Sequence, residues 1–310
     1  PTLSPPLASI TVVDGMVFAA SREATAYALN AATGQTLWRL PLPSAALAWP
    51  QVLYGMVFIA CDNGEVTALH ATTGGRIWRA ALTGAATGIA AARGLLLITS
   101  DQGHLLALDA LTGKTVWEAR LPHPLGQPAA YPPYLLVGDN SGSLRCFSFN
   151  SGQSLWRASL AGALQAPPAP SEEFVAAGTS AGHAFLLETK SGRLLWARPL
   201  PGAALCAPFF VSDSVIFTAG RSLIAYGLTD GAPRWRSRLS SLITAPPVLA
   251  NGQLLVGDAN GRVYAVSTSA GHKSRLRVRA SAPIAALTQE EDRLIVADWD
   301  GLLFCSLRPQ

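Results

Sequence analysis

An all-β, eight-bladed β-propeller of four-stranded antiparallel blades is the fold this sequence predicts, and three observations predict it. First, a glycine-to-tryptophan segment recurs: ATGQTLW ends at Trp38, TTGGRIW at Trp78, LTGKTVW at Trp117, NSGQSLW at Trp156, KSGRLLW at Trp196 and TDGAPRW at Trp235. Second, the interval is nearly fixed, successive tryptophans lying 40, 39, 39, 40 and 39 residues apart. A period of this length marks a chain built from one repeated supersecondary unit. Third, charged residues make up only 14% of the 310 residues while Gly (28) and Pro (22) are abundant, the balance of many short strands joined by tight turns.

The units follow in order at about 7–42, 46–82, 86–121, 125–160, 164–200, 204–239, 243–280 and 284–308, all within one domain spanning 1–310. The second unit shows the pattern of each. Four apolar segments, residues 46–53, 55–61, 65–70 and 75–82, are separated by turns rich in Gly and Asp. Such a sheet cannot cover both of its faces alone, so neighbours stack and the chain closes into a ring. The first segment is then expected at the axis and the fourth at the rim. Trp38, Trp78, Trp117, Trp156, Trp196 and Trp235 are expected to dock each blade on the next.

In the seventh unit, SAGHKSRL lacks the tryptophan. Alternation in a strand requires an apolar set two residues apart. One residue inserted after Gly271 supplies it, with Leu276, Val278 and Ala280 inward and Arg275, Arg277 and Arg279 on the opposite face. The eighth unit has three segments, residues 284–287, 293–298 and 302–307. Its outer strand is expected from residues 1–6 or from residues preceding them, paired alongside 302–307.

The pattern ALDALTGKTVW, echoed in ALNAATGQTLW and ALHATTGGRIW, resembles the repeat of the pyrroloquinoline-quinone (PQQ)-type β-propellers, and the resemblance covers nearly the whole chain. That family includes quinoprotein alcohol dehydrogenases, sensor domains of some bacterial protein kinases, and the non-catalytic propeller of the bacterial outer-membrane barrel-assembly machinery, to which this chain is closest in character. The resemblance implies the fold. It does not choose among those functions, because the glycine and tryptophan serve packing in all of them.

A quinoprotein dehydrogenase of this family would bring adjacent cysteines over the cofactor, a tryptophan beneath it and a calcium site. Here Cys61, Cys146, Cys206 and Cys305 are far apart, and the even spacing leaves no room for inserted substrate loops. Counted from the preceding tryptophans, Ala8, Ala48, Thr87, Gly126, Gln165, Cys206, Thr244 and Ala285 are expected at one level of the axial channel. That ring is small and uncharged and offers no convergent acids, bases or metal ligands. No catalytic residue, metal ligand or cofactor site is therefore assigned, and no enzyme is expected.

The remaining polar residues have plain readings. Cys146 and Cys305 fill a slot that is Ala28, Ala68 and Ala107 elsewhere, and with Cys61 they read as small buried residues; a Cys146–Cys305 disulfide is not expected. His104 and His183, which share a unit position, read as residues of a solvated turn. Asp62, Asp101, Asp139 and Asp258 read as one turn-stabilising carboxylate per blade.

Concentrated surface charge appears in one place. The net charge is only +4, yet Arg234, Arg236 and Arg238 fall on one face of the sixth outer strand and Lys273, Arg275, Arg277 and Arg279 on one face of the seventh. Charged outer strands protect an edge from sheet-to-sheet pairing. The same seven charges are candidates for binding a partner, either an acidic protein surface or an anionic headgroup. Nucleic acid is not expected, since no aromatic side chains interleave with the arginines.

No apolar run reaches the roughly 18 residues needed to cross a bilayer. The chain begins at Pro1 rather than Met, as a processed chain or a domain of a larger protein would. The sequence thus leads to a monomeric, non-catalytic protein-interaction scaffold, with a bacterial periplasm or envelope favoured and a cytoplasmic location left open. The alternative is a ligand-sensing propeller of a larger receptor such as a kinase.

Overall fold

The computed structural model describes residues 7–48, 50–290, 293–301 and 303–307. The third blade shows how the motif folds. Strands Ala86–Ala92, Leu95–Ser100, His104–Asp109 and Thr115–Arg120 form an antiparallel sheet in chain order. At the third turn the Asp109 carboxylate accepts the N–H (2.8 Å) and hydroxyl (2.7 Å) of Thr112. Gly113 then takes the left-handed backbone, at φ 69°, that reverses the chain. Sheets of the same order recur at the other units.

Each tryptophan is used by the blade that follows. The indole N–H of Trp38 donates to Ala71 O (2.7 Å), Trp78 to Ala110 O (2.9 Å), Trp117 to Phe149 O (3.1 Å), Trp156 to Thr189 O (2.9 Å), Trp196 to Leu228 O (3.0 Å) and Trp235 to Thr268 O (2.8 Å). The turn glycine of the following blade lies against the ring. A Cβ added at Gly152 would come within 2.5 Å of Trp117. The repeated glycine and the repeated tryptophan of a single segment therefore belong to two different contacts, one toward each neighbouring blade. Gly271 packs on Trp235 although its own unit lacks a tryptophan.

Each sheet shares an apolar core with the next, for instance Phe58, Val66 and Ala68 with Leu96, Ile98 and Leu106. Ile10, Val17, Ala19 and Leu29 share theirs with Ala286, Ile295 and Ala297, so the two ends of the chain meet and the ring closes.

The blade count corrects the expected architecture. Seven blades are four-stranded, not eight, and strands Ile284–Glu290, Arg293–Asp298 and Leu303–Leu307 form a three-stranded sheet in the remaining sector. The reason is that the last unit carries no glycine-to-tryptophan segment, the one that builds the outer strand elsewhere. The expected pairing of residues 1–6 falls outside the described residues.

The inner strands also differ from expectation. Residues 46–53 do not form one strand: Gln51–Leu53 is a strand, and Ala46 makes an isolated bridge to Cys61. Pro50 stands between them and has no N–H for the ladder. Pro128 and Pro208 likewise precede short inner strands, Ala129–Tyr131 and Phe209–Val211, whereas the proline-free Ala86–Ala92 and Ile284–Glu290 run for seven residues.

Candidate interaction surface

The axial level is set by a repeated link. Ala46 N–H donates to Ser21 O, Ala86 to Cys61 O, Leu125 to Ser100 O, Leu164 to Asp139 O, Ala204 to Thr179 O, Ile243 to Gly220 O and Ile284 to Asp258 O. The next residue in each blade shares a level, giving Leu47, Thr87, Gly126, Gln165, Leu205, Thr244 and Ala285. Leu47 and Leu205 thus stand where Ala48 and Cys206 were expected, because the first bridging residue follows each tryptophan by the same eight positions. Both leucines are exposed. The level remains uncharged, and among the described residues no three His, Cys, Asp or Glu side chains converge to hold a metal.

The cysteines that the structure describes are buried or half-buried and free. Burial pushes the Cys61 thiol up to about 11 and Cys146 to about 12, so both stay protonated and unreactive near neutrality. The side chain of Cys305 falls outside the described residues.

His104 is not in a solvated turn. It is 3% exposed, with Nδ1 accepting the Thr83 N–H (3.1 Å) and Nε2 facing the Glu118 carboxylate (2.9 Å), because the preceding loop folds over it. His183 is half-buried. The turn aspartates are of two kinds. Asp139 and Asp258 are buried and accept backbone N–H groups two and four residues on. Asp62 and Asp101, one position later in the repeat, instead bond Ser44 and Ala85 of the preceding loop.

The charged stripes of blades six and seven face two successive clefts of the rim. Arg236 and Arg238 share the sheet face of Ser222 and Tyr226, toward blade five. Arg275 and Arg279 lie opposite Tyr264 and Arg262, on the face toward blade six. Arg234, Arg236, Arg238, Lys273, Arg275 and Arg279 are exposed; the Arg277 side chain falls outside the described residues. The Lys273 ammonium donates to Arg238 O, which joins the two stripes. Arg234 pairs with Asp230 at 3.3 Å, and the Asp230 carboxyl lies below its usual range, first through the Ala232 N–H bonded to it and then through Arg234. Leu276 and Ala280 are buried and Val278 packs against the same core, as the inserted residue required.

Two apolar features were missed from the sequence. In blades one to six a β-bulge falls just before the tryptophan, so that Leu37, Ile77, Val116, Leu155, Leu195 and Arg234 have no partner in the ladder. The first four are nearly half exposed. This one position therefore changes from aliphatic in blades one to five to arginine in blade six. The signal was legible as the residue before each tryptophan, but strand alternation alone does not reveal a bulge. The second feature is a hollow of about 510 Å3 between the first three blades, lined by Met16, Val52, Tyr54, Met56, Ile77 and Leu111 among others.

Against known proteins, the family described as "Outer membrane protein assembly factor BamB" matches residues 2–63, 62–139, 140–241 and 219–307. The chain belongs to this family. Outer membrane protein assembly factor BamB of Salmonella typhimurium is 26% identical over 131 residues, covering 41% of this chain and 33% of that protein; the match thus spans about a third of the relative's length. BamB from Moraxella catarrhalis superposes with a TM-score of 0.85 at 18% identity, over 98% of each chain. The computationally designed Ika8 protein does so at 0.88 and 18% identity, covering 99% of this chain and 97% of its own. At these identities the two structures speak for the fold alone. The described residues contain no helix long and apolar enough to cross a membrane.

Proposed function

We propose that the protein is a non-catalytic scaffold of the bacterial envelope that binds other proteins during outer-membrane protein assembly. The observation that carries this reading is the match of successive repeat units to the assembly-factor family over nearly the whole chain. The site chemistry supports it: the axial level is uncharged, and the thiols are held protonated by burial. What the fold leaves to solvent includes the exposed aliphatic bulge residues of blades one to four and the basic stripes of blades six and seven, features suited to partners rather than substrates. The seven basic residues Arg234, Arg236, Arg238, Lys273, Arg275, Arg277 and Arg279 are its proposed charged contact.

The test is affinity purification of the tagged full chain from its own cells after mild crosslinking, with mass spectrometry of the captured proteins. Enrichment of the outer-membrane barrel-assembly proteins is expected. Their absence, with the chain folded and present in the envelope fraction, overturns the reading.

A further inference from the structure

The cleft between blades six and seven contains an arrangement that the repeat does not require. Arg262 opens strand Arg262–Ser267 and Arg279 ends strand Lys273–Arg279, and the two are cross-strand partners on one sheet face. Like charges directly opposite one another destabilise a sheet. Among the described residues neither has a carboxylate within ion-pair distance, the ion pairs there being His104–Glu118, Arg193–Glu188 and Arg234–Asp230.

Arg262 is held rather than loose. Its Nη1 donates to Ser240 Oγ at 2.9 Å. Ser240 lies 3.2 Å from Asp258 Oδ2 and 2.8 Å from the Tyr264 hydroxyl, which is itself 3.3 Å from Asp258 Oδ2. Asp258 is fully buried, and its Oδ1 accepts the Asn260 and Arg262 N–H groups at 2.9 Å. That carboxylate is thus engaged in fixing the turn and Ser240. The Nε–H of Arg262 is buried with no acceptor among the described residues, an arrangement that proteins normally avoid. Arg275 and Arg279 stand exposed beside it, and Lys273 reaches across the cleft to Arg238 O.

We infer that this cleft receives an acidic, extended segment of a partner protein, with carboxylates against Arg262 and Arg279 and a further one at Arg275. This rests on the scaffold reading and names the chemistry of one of its partners. A carboxylate relieves the repulsion between the two guanidiniums and matches their forked donors. Arg262 is recessed between two blades, where a thin chain with planar carboxylates enters. A bilayer presents its headgroups on a plane and meets only the outer tips of Arg275 and Arg279.

The experiment is fluorescence anisotropy of a labelled alternating Glu-Thr decapeptide with the full chain at low and physiological salt. Arg262→Gln and Arg279→Gln are compared with Arg22→Gln on the first blade, and thermal melts are run on all. Binding by the unaltered chain is expected, with Arg262→Gln and Arg279→Gln each weakening it by about tenfold or more and Arg22→Gln leaving it unchanged. Arg279→Gln is expected to melt no lower than the parent, since it removes a repulsion. If Arg262→Gln does not fold, the exposed Arg279→Gln carries the test.

No peptide binding by the parent, or binding by the two cleft variants as tight as the parent's, overturns the inference. So does an anionic vesicle of phosphatidylglycerol whose binding is lost in Arg279→Gln while the peptide's is not. Failure of the scaffold reading is seen separately, as absence of the barrel-assembly proteins from the crosslinked sample whatever the peptide does.

Discussion

The contact between one blade's tryptophan and the next blade's glycine predicts a specific non-additivity. Gly152 has φ +68°, and a Cβ there would lie 2.5 Å from Trp117 Cε3 and 2.6 Å from Cδ2. Gly152→Ala therefore carries two costs. The left-handed backbone costs about 1–2 kcal/mol for a residue with a Cβ, and forcing the methyl group against the indole costs about 1–3 kcal/mol. Trp117→Ala removes the ring and its bond to Phe149 O. Full burial would make this about 3–5 kcal/mol, and because Trp117 is only half-buried the expectation is about 2–4 kcal/mol. With the ring gone, Gly152→Ala retains only its backbone cost. The double variant is then less destabilised than the sum of the singles by about 1–3 kcal/mol. Urea midpoints of the parent, two singles and the double measure this at constant slope. Gly55→Ala is the control: φ is +70° and nothing lies within 4 Å of an added Cβ, so it shows the backbone term alone. Additivity within about 0.5 kcal/mol, or a Gly55→Ala cost equal to that of Gly152→Ala, refutes the reasoning.

The buried thiols predict alkaline sensitivity. With folded values raised from 9.0 to about 11 for Cys61 and about 12 for Cys146, their stabilisation is whole below pH 9. It falls as pH rises toward the folded values, by up to about 1.4 kcal/mol per pH unit per thiol. The Tyr226 phenol, raised chiefly by burial, adds to the decline, and Cys61→Ala with Cys146→Ala flattens it in melts taken from pH 8 to 11. Replacing Arg234, Arg236, Arg275 and Arg279 together by Ser is expected to change stability by about 0.5 kcal/mol or less per site while reducing partner capture at low salt; a large drop in melting temperature makes these residues structural. Calorimetry with PQQ and calcium is expected to show no micromolar binding, and an assay of alcohol oxidation no turnover. Binding favours the sensor reading, and turnover the enzyme.

The repeat was legible because both halves of its defining contact are written in the sequence at a fixed interval, and a glycine at φ near +70° under an indole tolerates little else. The number of complete blades was not, since it depends on how strands 284–290, 293–298 and 303–307 end the ring, and that unit lacks the segment which marks an outer strand. The expected placement of Ala48 and Cys206 at the axis missed by one residue. One position separates the bridging Ala46 and Ala204 from the exposed Leu47 and Leu205, and a count of apolar residues does not distinguish them. His104 was misread because its burial comes from Thr83, on a loop 21 residues earlier.

The basic stripes were visible as charges, but their register was not. Between Arg262 and Tyr264 the inner chain advances two residues while the outer advances from Arg279 to Arg275, and only this irregularity sets Arg262 and Arg279 opposite one another. The same logic says where to look for function in such a fold. Positions fixed by the repeat, Gly113, Trp117, Ala107 and their equivalents, are committed to packing between blades and vary little from unit to unit. The bulge position before the tryptophan has no partner in the ladder, and in blades one to four its side chain is nearly half exposed, so its identity there is only loosely tied to the fold. That it is Leu37, Ile77, Val116 and Leu155 on one arc and Arg234 on another is a difference that stability does not demand. It is therefore the difference on which partner choice can act.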